Sequence, residues 1–191
     1  SAAVVLAAGL LCRHMLVQER EPEFVFSYAE NQTEDYPTTL GAKEFARLVE
    51  KRSNGRIQIL VQAEGALGTE SDVIAQIQYG GIDFARVSLS QLAEYIPELN
   101  VLQMPYLYTN SDHMWKVLDG EIGDAFLAAT DESELVGLSW YDAGARNFYN
   151  SKKPITCLED MAGMRIRVQE SEVMVDMVEA LGATALPIPY A

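Results

Sequence analysis

A chain of 191 residues, 49% hydrophobic and 9% aromatic, holds enough apolar material for one good core or two small ones and argues against a disordered chain. Fourteen basic against 28 acidic residues give a formal net charge of −14, which speaks against nucleic acid, since that partner wants a basic stripe. The two cysteines, Cys12 and Cys157, form no CxxC and no zinc-finger spacing; Cys157 reads as a free, partly buried thiol.

The chain opens with SAAVVLAAGLLC, too short to span a bilayer. It fits the remnant of a secretory signal, with an apolar N-terminal helix as the alternative. Leu10 and Leu11 weaken a lipidated Cys12. RHMLVQEREPE follows as a linker. FVFSYA, 24–29, reads as a strand and ENQTEDYP as the loop after it. From Pro37 to Arg52, residues Ala42, Phe45, Ala46 and Val49 make one apolar helical face, stopped by Ser53-Asn54-Gly55. RIQILVQ, 56–62, alternates as a strand. EGALG is a turn; Thr69 caps a helix running to Tyr79, with Asp72 at the capping-box position. IDFARVS, 82–88, is a third strand, and the order strand–helix–strand–helix–strand implies parallel pairing. LNVLQMPYLY is apolar and broken by Pro105. One longer helix starts near Asp112 and carries Trp115, Leu118, Ile122, Ala125, Phe126 and Ala129 on one side. LVGLSWY, 135–141, reads as a strand. After a connection containing Pro154 and Gly163 come the strand MRIRV, a helix from Ser171, and a last strand, TALPIPY. The predicted organisation is a signal or anchor remnant and linker over 1–21, a first α/β domain over 22–142, and the start of a second over 143–191, incomplete where the sequence stops.

The catalytic inventory is thin. His14 falls in the linker and His113 in the first turn of a helix; there is no GxSxG, P-loop or HExxH. Gly65 and Gly68 lie between a strand and a helix, where a phosphate loop would be, but GxxG alone reads better as a tight turn. No catalytic residue, metal or cofactor is expected. The arginines carry more. In GMRIRVQES, period-2 alternation puts Met164, Ile166 and Val168 on one face and Arg165, Arg167 and Gln169 on the other. Arg167 falls at the carboxyl end of its strand, where open α/β sheets place ligands, and its planar fork matches a carboxylate. The helix start at Ser171 adds attraction for an anion. The bland alternative is a salt bridge to Glu170, Glu172 or Asp160. Arg165 reads as structural or solvated.

The series SNGRIQILVQAEGALGTESDVIAQIQYGGIDFARVS, LNVLQMPYLY, WKVLDGEIGDAF, GLSWYDAGARNFYNSKKPIT, LEDMAGMRIRV and LGATALPIPYA resembles the extracytoplasmic solute receptors of tripartite ATP-independent periplasmic (TRAP) transporters, of the C4-dicarboxylate-binding type. The match runs from about Phe24 to the end. It implies a periplasmic-binding-protein-like α/β fold, two domains with mostly parallel sheets closing on a small organic acid. It also implies membrane permease subunits as partners, and a place outside the cytoplasm, periplasmic or anchored to the outer face of the membrane. In such receptors the arginine of the GxKxRV-type strand, here Arg167, binds the ligand carboxylate, Arg146 assists with Asn147 beside it, and Tyr190 packs on the ligand. Glu70 contributes from the first domain, and Tyr28, Asn31 and Ser88 line the cleft. Three departures stand out. Gln169 takes the place of the family's usual Pro, Tyr190 that of its commoner Phe, and the family continues well past this point. The alternatives are the sensing domain of a signalling receptor and an α/β enzyme acting on a carboxylate with Arg167 as anchor.

Overall fold

The computed structural model describes residues 21–190; the N-terminal run with Cys12 and His14, read as a signal remnant and linker, lies outside the described residues, as does Ala191. The first strand, β1 (Phe24–Ala29), alternates as its sequence dictates. Phe26 and Tyr28 turn to the helix α1 (Pro37–Arg52), which answers with Ala42, Phe45, Ala46 and Val49. Proline at its first turn starts α1, and the left-handed backbone of Asn54 and Gly55 ends it. β2 (Ile57–Gln62) runs parallel to β1 with Phe26 opposite Ile59 and Tyr28 opposite Val61. α2 (Glu70–Gln78) opens on the expected capping box: Thr69 Oγ1 accepts from Asp72 N–H and the Asp72 carboxylate accepts from Thr69 N–H. Val73 of α2 packs on the other face of the sheet with Ala29 and Ile82.

The third strand is shorter than the sequence indicated. β3 covers Phe84–Ala85 alone, paired with Tyr28 and Ala29. Side chains take over the ladder at both ends. Asp83 Oδ2 accepts from Ser27 N–H at 2.8 Å, and Glu70 Oε1 accepts from Ser88 N–H at 2.8 Å. The sheet order is β2-β1-β3, all parallel, so the chain reverses its direction of growth between β1 and β3.

Helical turns follow: α3 (Leu89–Leu92), a 3₁₀ stretch at Pro97–Gln103, α4 (Ser111–Leu118) and α5 (Glu121–Ala128). The single long helix expected from Asp112 is two helices. Gly120 is extended between them, and Gly123 lies so close to the end of α4 that a Cβ would come 1.9 Å from the Leu118 carbonyl oxygen. Ile74, Ile96, Leu99, Leu102, Leu118 and Leu135 form the core here. The predicted strand 135–141 is not one. No partner strand lies beside it among the described residues, and Val136 and Leu138 are exposed.

A second parallel sheet pairs β4 (Arg165–Val168) with β5 (Thr184–Pro187), connected through α6 (Glu172–Ala180). As predicted, Met164, Ile166 and Val168 are buried with Met174 and Val178, while Arg165 and Arg167 face out. Val178 is completely buried, worth about 1.5–3 kcal/mol. β5 stops at Pro187, short of the predicted TALPIPY, because Pro187 and Pro189 have no N–H to donate. Cys157 is free but exposed rather than partly buried, since it caps a surface turn and its Sγ reaches Asp160.

Candidate functional site

In an open α/β sheet, ligands collect at the carboxyl ends of the strands where the strand order reverses. Here that point lies between β1 and β3. The register setting Ala29 opposite Ala85 brings the next residues, Glu30 and Arg86, side by side. Glu30 is 2% exposed. Its Oε1 accepts from the N–H groups of Asn31 at 2.8 Å and Gln32 at 3.1 Å, and its Oε2 accepts from Arg86 Nε at 3.1 Å. Arg86 Nη2 also meets Glu30 and Asn31, and Nη1 donates to Glu70 Oε1 at 3.3 Å. Burial alone would lower the Arg86 pKa; the hydrogen bond and charge of Glu30, with Glu70, outweigh it and hold the guanidinium above its ordinary value. Glu70 is further fixed by Ser88, whose Oγ donates to Oε2 at 2.7 Å. Nothing in the sequence announces the pairing of Arg86 with Glu30, since it depends on the register of β3 against β1.

Next to this cluster, sharing Glu70 with it, lies a hollow walled by Ser71 and Gln91 from the first half of the chain and by Arg167, Gln169, Glu170, Pro189 and Tyr190 from the second. Arg167 Nε donates to Ile188 O at 2.7 Å, and the guanidinium carbon stands 5.9 Å from the Tyr190 ring centre. No carboxylate among the described residues pairs with Arg167. With Nε held by a carbonyl, both terminal nitrogens stay available for a bidentate acceptor. Arg146 sits in the irregular segment before the second sheet. Desolvation, then the like charge of Arg167, hold its pKa below the ordinary value, while Glu70 pulls the other way. Arg86 shares two carboxylates, so that trio is negative by one charge; Arg146 and Arg167 reverse the sign locally.

The expected site residues therefore divide. Arg167, Tyr190 and Glu70 share the hollow, and Arg146 is electrostatically coupled to it. Asn31 lines a second hollow with Glu30, Glu70 and Arg86, and Ser88 is bound to Glu70. Tyr28 faces the α1 core, where burial and then the neighbouring Tyr141 raise its phenol pKa, and it lines neither hollow. Asn147 is exposed and donates only to its neighbour Ala145 O at 3.4 Å. Among the described residues no group of three or more His, Cys, Asp or Glu is placed to hold a metal ion, and no helix is long and apolar enough to cross a membrane.

A parallel α/β half with a switch-point charge cluster, a second parallel half, and a guanidinium without a carboxylate partner in the hollow between them make up this site. The chain belongs to the bacterial extracellular solute-binding protein family 7, whose pattern matches residues 28–191. A solute-binding protein of Chromohalobacter salexigens is 34% identical over 155 residues, covering 81% of this chain and 46% of that one. The structure of a TRAP periplasmic solute-binding protein from Xanthobacter autotrophicus Py2 with bound β-D-galacturonate matches with a TM-score of 0.83 and 41% identity, over 86% of this chain and 55% of that one. One from Sulfurospirillum deleyianum with bound succinate matches with a TM-score of 0.85 and 28% identity, over 88% and 55%. The chain spans about half the length of the curated relatives it matches. The family is one of solute receptors for transport rather than of enzymes.

Proposed function

We propose that this protein is an extracytoplasmic receptor that captures a small organic acid and hands it to the permease subunits of a TRAP-type secondary transporter, without chemical turnover. Two α/β domains, 22–142 and 143–191 with whatever completes the second, hold the acid between them. The observation that carries this reading is Arg167: a guanidinium on a strand end, with its Nε anchored by Ile188 O and its terminal nitrogens unclaimed by any carboxylate among the described residues. Arg146 adds charge at the same pole, and Tyr190 offers a ring face and a hydroxyl. The ligands named for the two related structures, galacturonate and succinate, share the carboxylate that such a pole would read. The protein works outside the cytoplasm, either free in the periplasm or held on the outer face of the membrane.

A charge-assisted hydrogen bond contributes about 1.5–3 kcal/mol. Arg167→Ala therefore weakens acid binding at least about tenfold, and Arg167→Lys fails as well because the fork is lost. Calorimetry on the intact protein with an organic-acid panel reads this out; unchanged affinity in Arg167→Ala refutes the reading.

A further inference from the structure

We propose that Arg86 is a positioning residue for the first-domain end of the site: it locks the Asn31 side-chain amide with its NH2 group outward, so that this end reads a hydrogen-bond acceptor on the bound acid, a hydroxyl or carbonyl oxygen remote from the carboxylate. The inference rests on the receptor reading above and gives Arg167 a counterpart on the first half of the chain.

An amide can face either way until its partner decides, and here the partner is a guanidinium. Arg86 Nη2 donates to Asn31 Oδ1. Arginine carries N–H donors and no acceptor, so only the oxygen end of the amide can face it. Nδ2 is thereby turned to the far side. It has no partner among the described residues and is not a buried atom, so it opens on solvent. The backbone of the same residue is held as well: Glu30 Oε1 accepts from Asn31 N–H at 2.8 Å and from Gln32 N–H at 3.1 Å. Glu30 is in turn buried and tied to Arg86 Nε through Oε2 at 3.1 Å. The amide is oriented before any ligand arrives, which spares the cost of ordering it on binding.

The carboxylates around it are spent on their own partners. Glu30 is engaged at both oxygens by Arg86 and the loop N–H groups, and Glu70 by Arg86 Nη1, Ser88 N–H and Ser88 Oγ. Four of the five Arg86 N–H groups go to these carboxylates and to Asn31. What remains to meet a ligand is donors: the Asn31 NH2 and the last N–H of Arg86 Nη1. Asn31, Arg86 and Glu70 line this second hollow, and Glu70 lines that of Arg167 too, so the two adjoin. It lies where the strand order reverses between β1 and β3, the place where open sheets take ligands. An acid whose carboxylate sits on Arg167 therefore meets N–H donors at its other end. The Glu30–Arg86–Glu70 trio is negative by one charge, so a neutral oxygen suits that end better than a second carboxylate.

The test uses the intact protein and D-galacturonate, a monocarboxylate with hydroxyls away from its carboxylate, titrated calorimetrically. Asn31→Leu, which removes the donor, weakens binding about three- to tenfold. Arg86→Lys keeps a positive charge beside Glu30 but loses the fork that also reaches Asn31. It weakens binding by a similar factor in the parent and by less than about twofold in the Asn31→Leu background, because its effect passes through the amide. A merely structural Arg86 would weaken both backgrounds alike, and that result overturns the proposal. NMR relaxation carries the test should Arg86→Lys not fold. The Asn31 side-chain NH2 of the unliganded parent, identified by its loss in Asn31→Leu, is expected to be rigid. An order parameter below about 0.6 that rises only with D-galacturonate means that the ligand, not Arg86, orients it, and overturns the proposal. Unchanged affinity in Asn31→Leu, or a parent that does not bind D-galacturonate, does the same. Arg167→Ala separates the two layers. If it retains binding, the receptor reading itself fails; if it loses binding while Asn31→Leu does not, only the role of Arg86 falls.

Discussion

Arg86 and Arg167 are the same side chain in opposite circumstances. Arg86 is half-buried and shared between Glu30 and Glu70; Arg167 is exposed and without a carboxylate among the described residues. The Glu30 side chain has 0% exposure, so removing its partner strands a charge that water cannot reach. Breaking a buried pair in this way costs about 3–5 kcal/mol. Arg86→Met should therefore lower the thermal midpoint sharply, whereas Arg167→Ala, a surface change, stays within about 0.5 kcal/mol of the parent. Chemical denaturation of both variants checks this; equal midpoints for Arg86→Met and parent would mean that the cluster is not what holds β1 to β3. The same pair explains what could be read in the sequence. Arg167 was legible because alternation in MRIRV puts it on the polar face at a strand end. Arg86 was not, because nothing in IDFARVS marks it off from the rest of the strand, and only the register of Ala29 with Ala85 sets it beside Glu30.

The elements that were legible are those whose partner is close in sequence. β1, α1, β2 and α2 each carry their own period and their own start or stop signal, and they appear where expected. Segment 135–141 carries a strand's alternation too, yet a strand exists only where a neighbour satisfies its backbone groups, and nothing in LVGLSWY names that neighbour. Small turns are fixed more locally. The turn into the second sheet hangs on Asp160, whose Oδ2 accepts from Thr156 N–H and Oγ1, both at 2.9 Å, while Lys153 Nζ donates to Oδ1 at 3.0 Å. The backbone hydrogen bond from Thr156, then Lys153 and the Thr156 hydroxyl, hold its carboxyl well below the usual carboxylate range. A carboxyl whose folded pKa is depressed contributes stability that is fully present above its ordinary value and is lost as pH falls towards the folded one. Asp160→Asn should accordingly melt below the parent at neutral pH, and the gap should close as pH drops below about 4. Melting curves from pH 7 to pH 2 test this, and a gap that is constant across that range would show that the charge on Asp160 contributes nothing.

Across the whole molecule, the apolar clusters stay apart: one lies between β4, β5 and α6, the others belong to the first half. The halves meet through polar and edge contacts. Ser90 and Gln91 reach Gln169 and the Glu170 carbonyl, and the Tyr36 hydroxyl reaches Ala143 O at 3.5 Å. Each such hydrogen bond contributes only about 0.5–1.5 kcal/mol. A joint of this kind holds a preferred arrangement without locking it, as hinge closure requires. An acid gripped by Arg167 on one side and by the wall of Glu70 and Ser71 on the other would touch both halves at once only when they are together. It then favours the closed form by its differential affinity for that form and by nothing else. D-galacturonate added to the intact protein should therefore reduce the radius of gyration measured by small-angle scattering. The reduction should vanish in Arg167→Ala, which keeps the joint but loses the grip. Superimposable curves with and without ligand in a parent that binds by calorimetry would mean that the acid enters a site already shut, and that the polar joint between the halves is rigid.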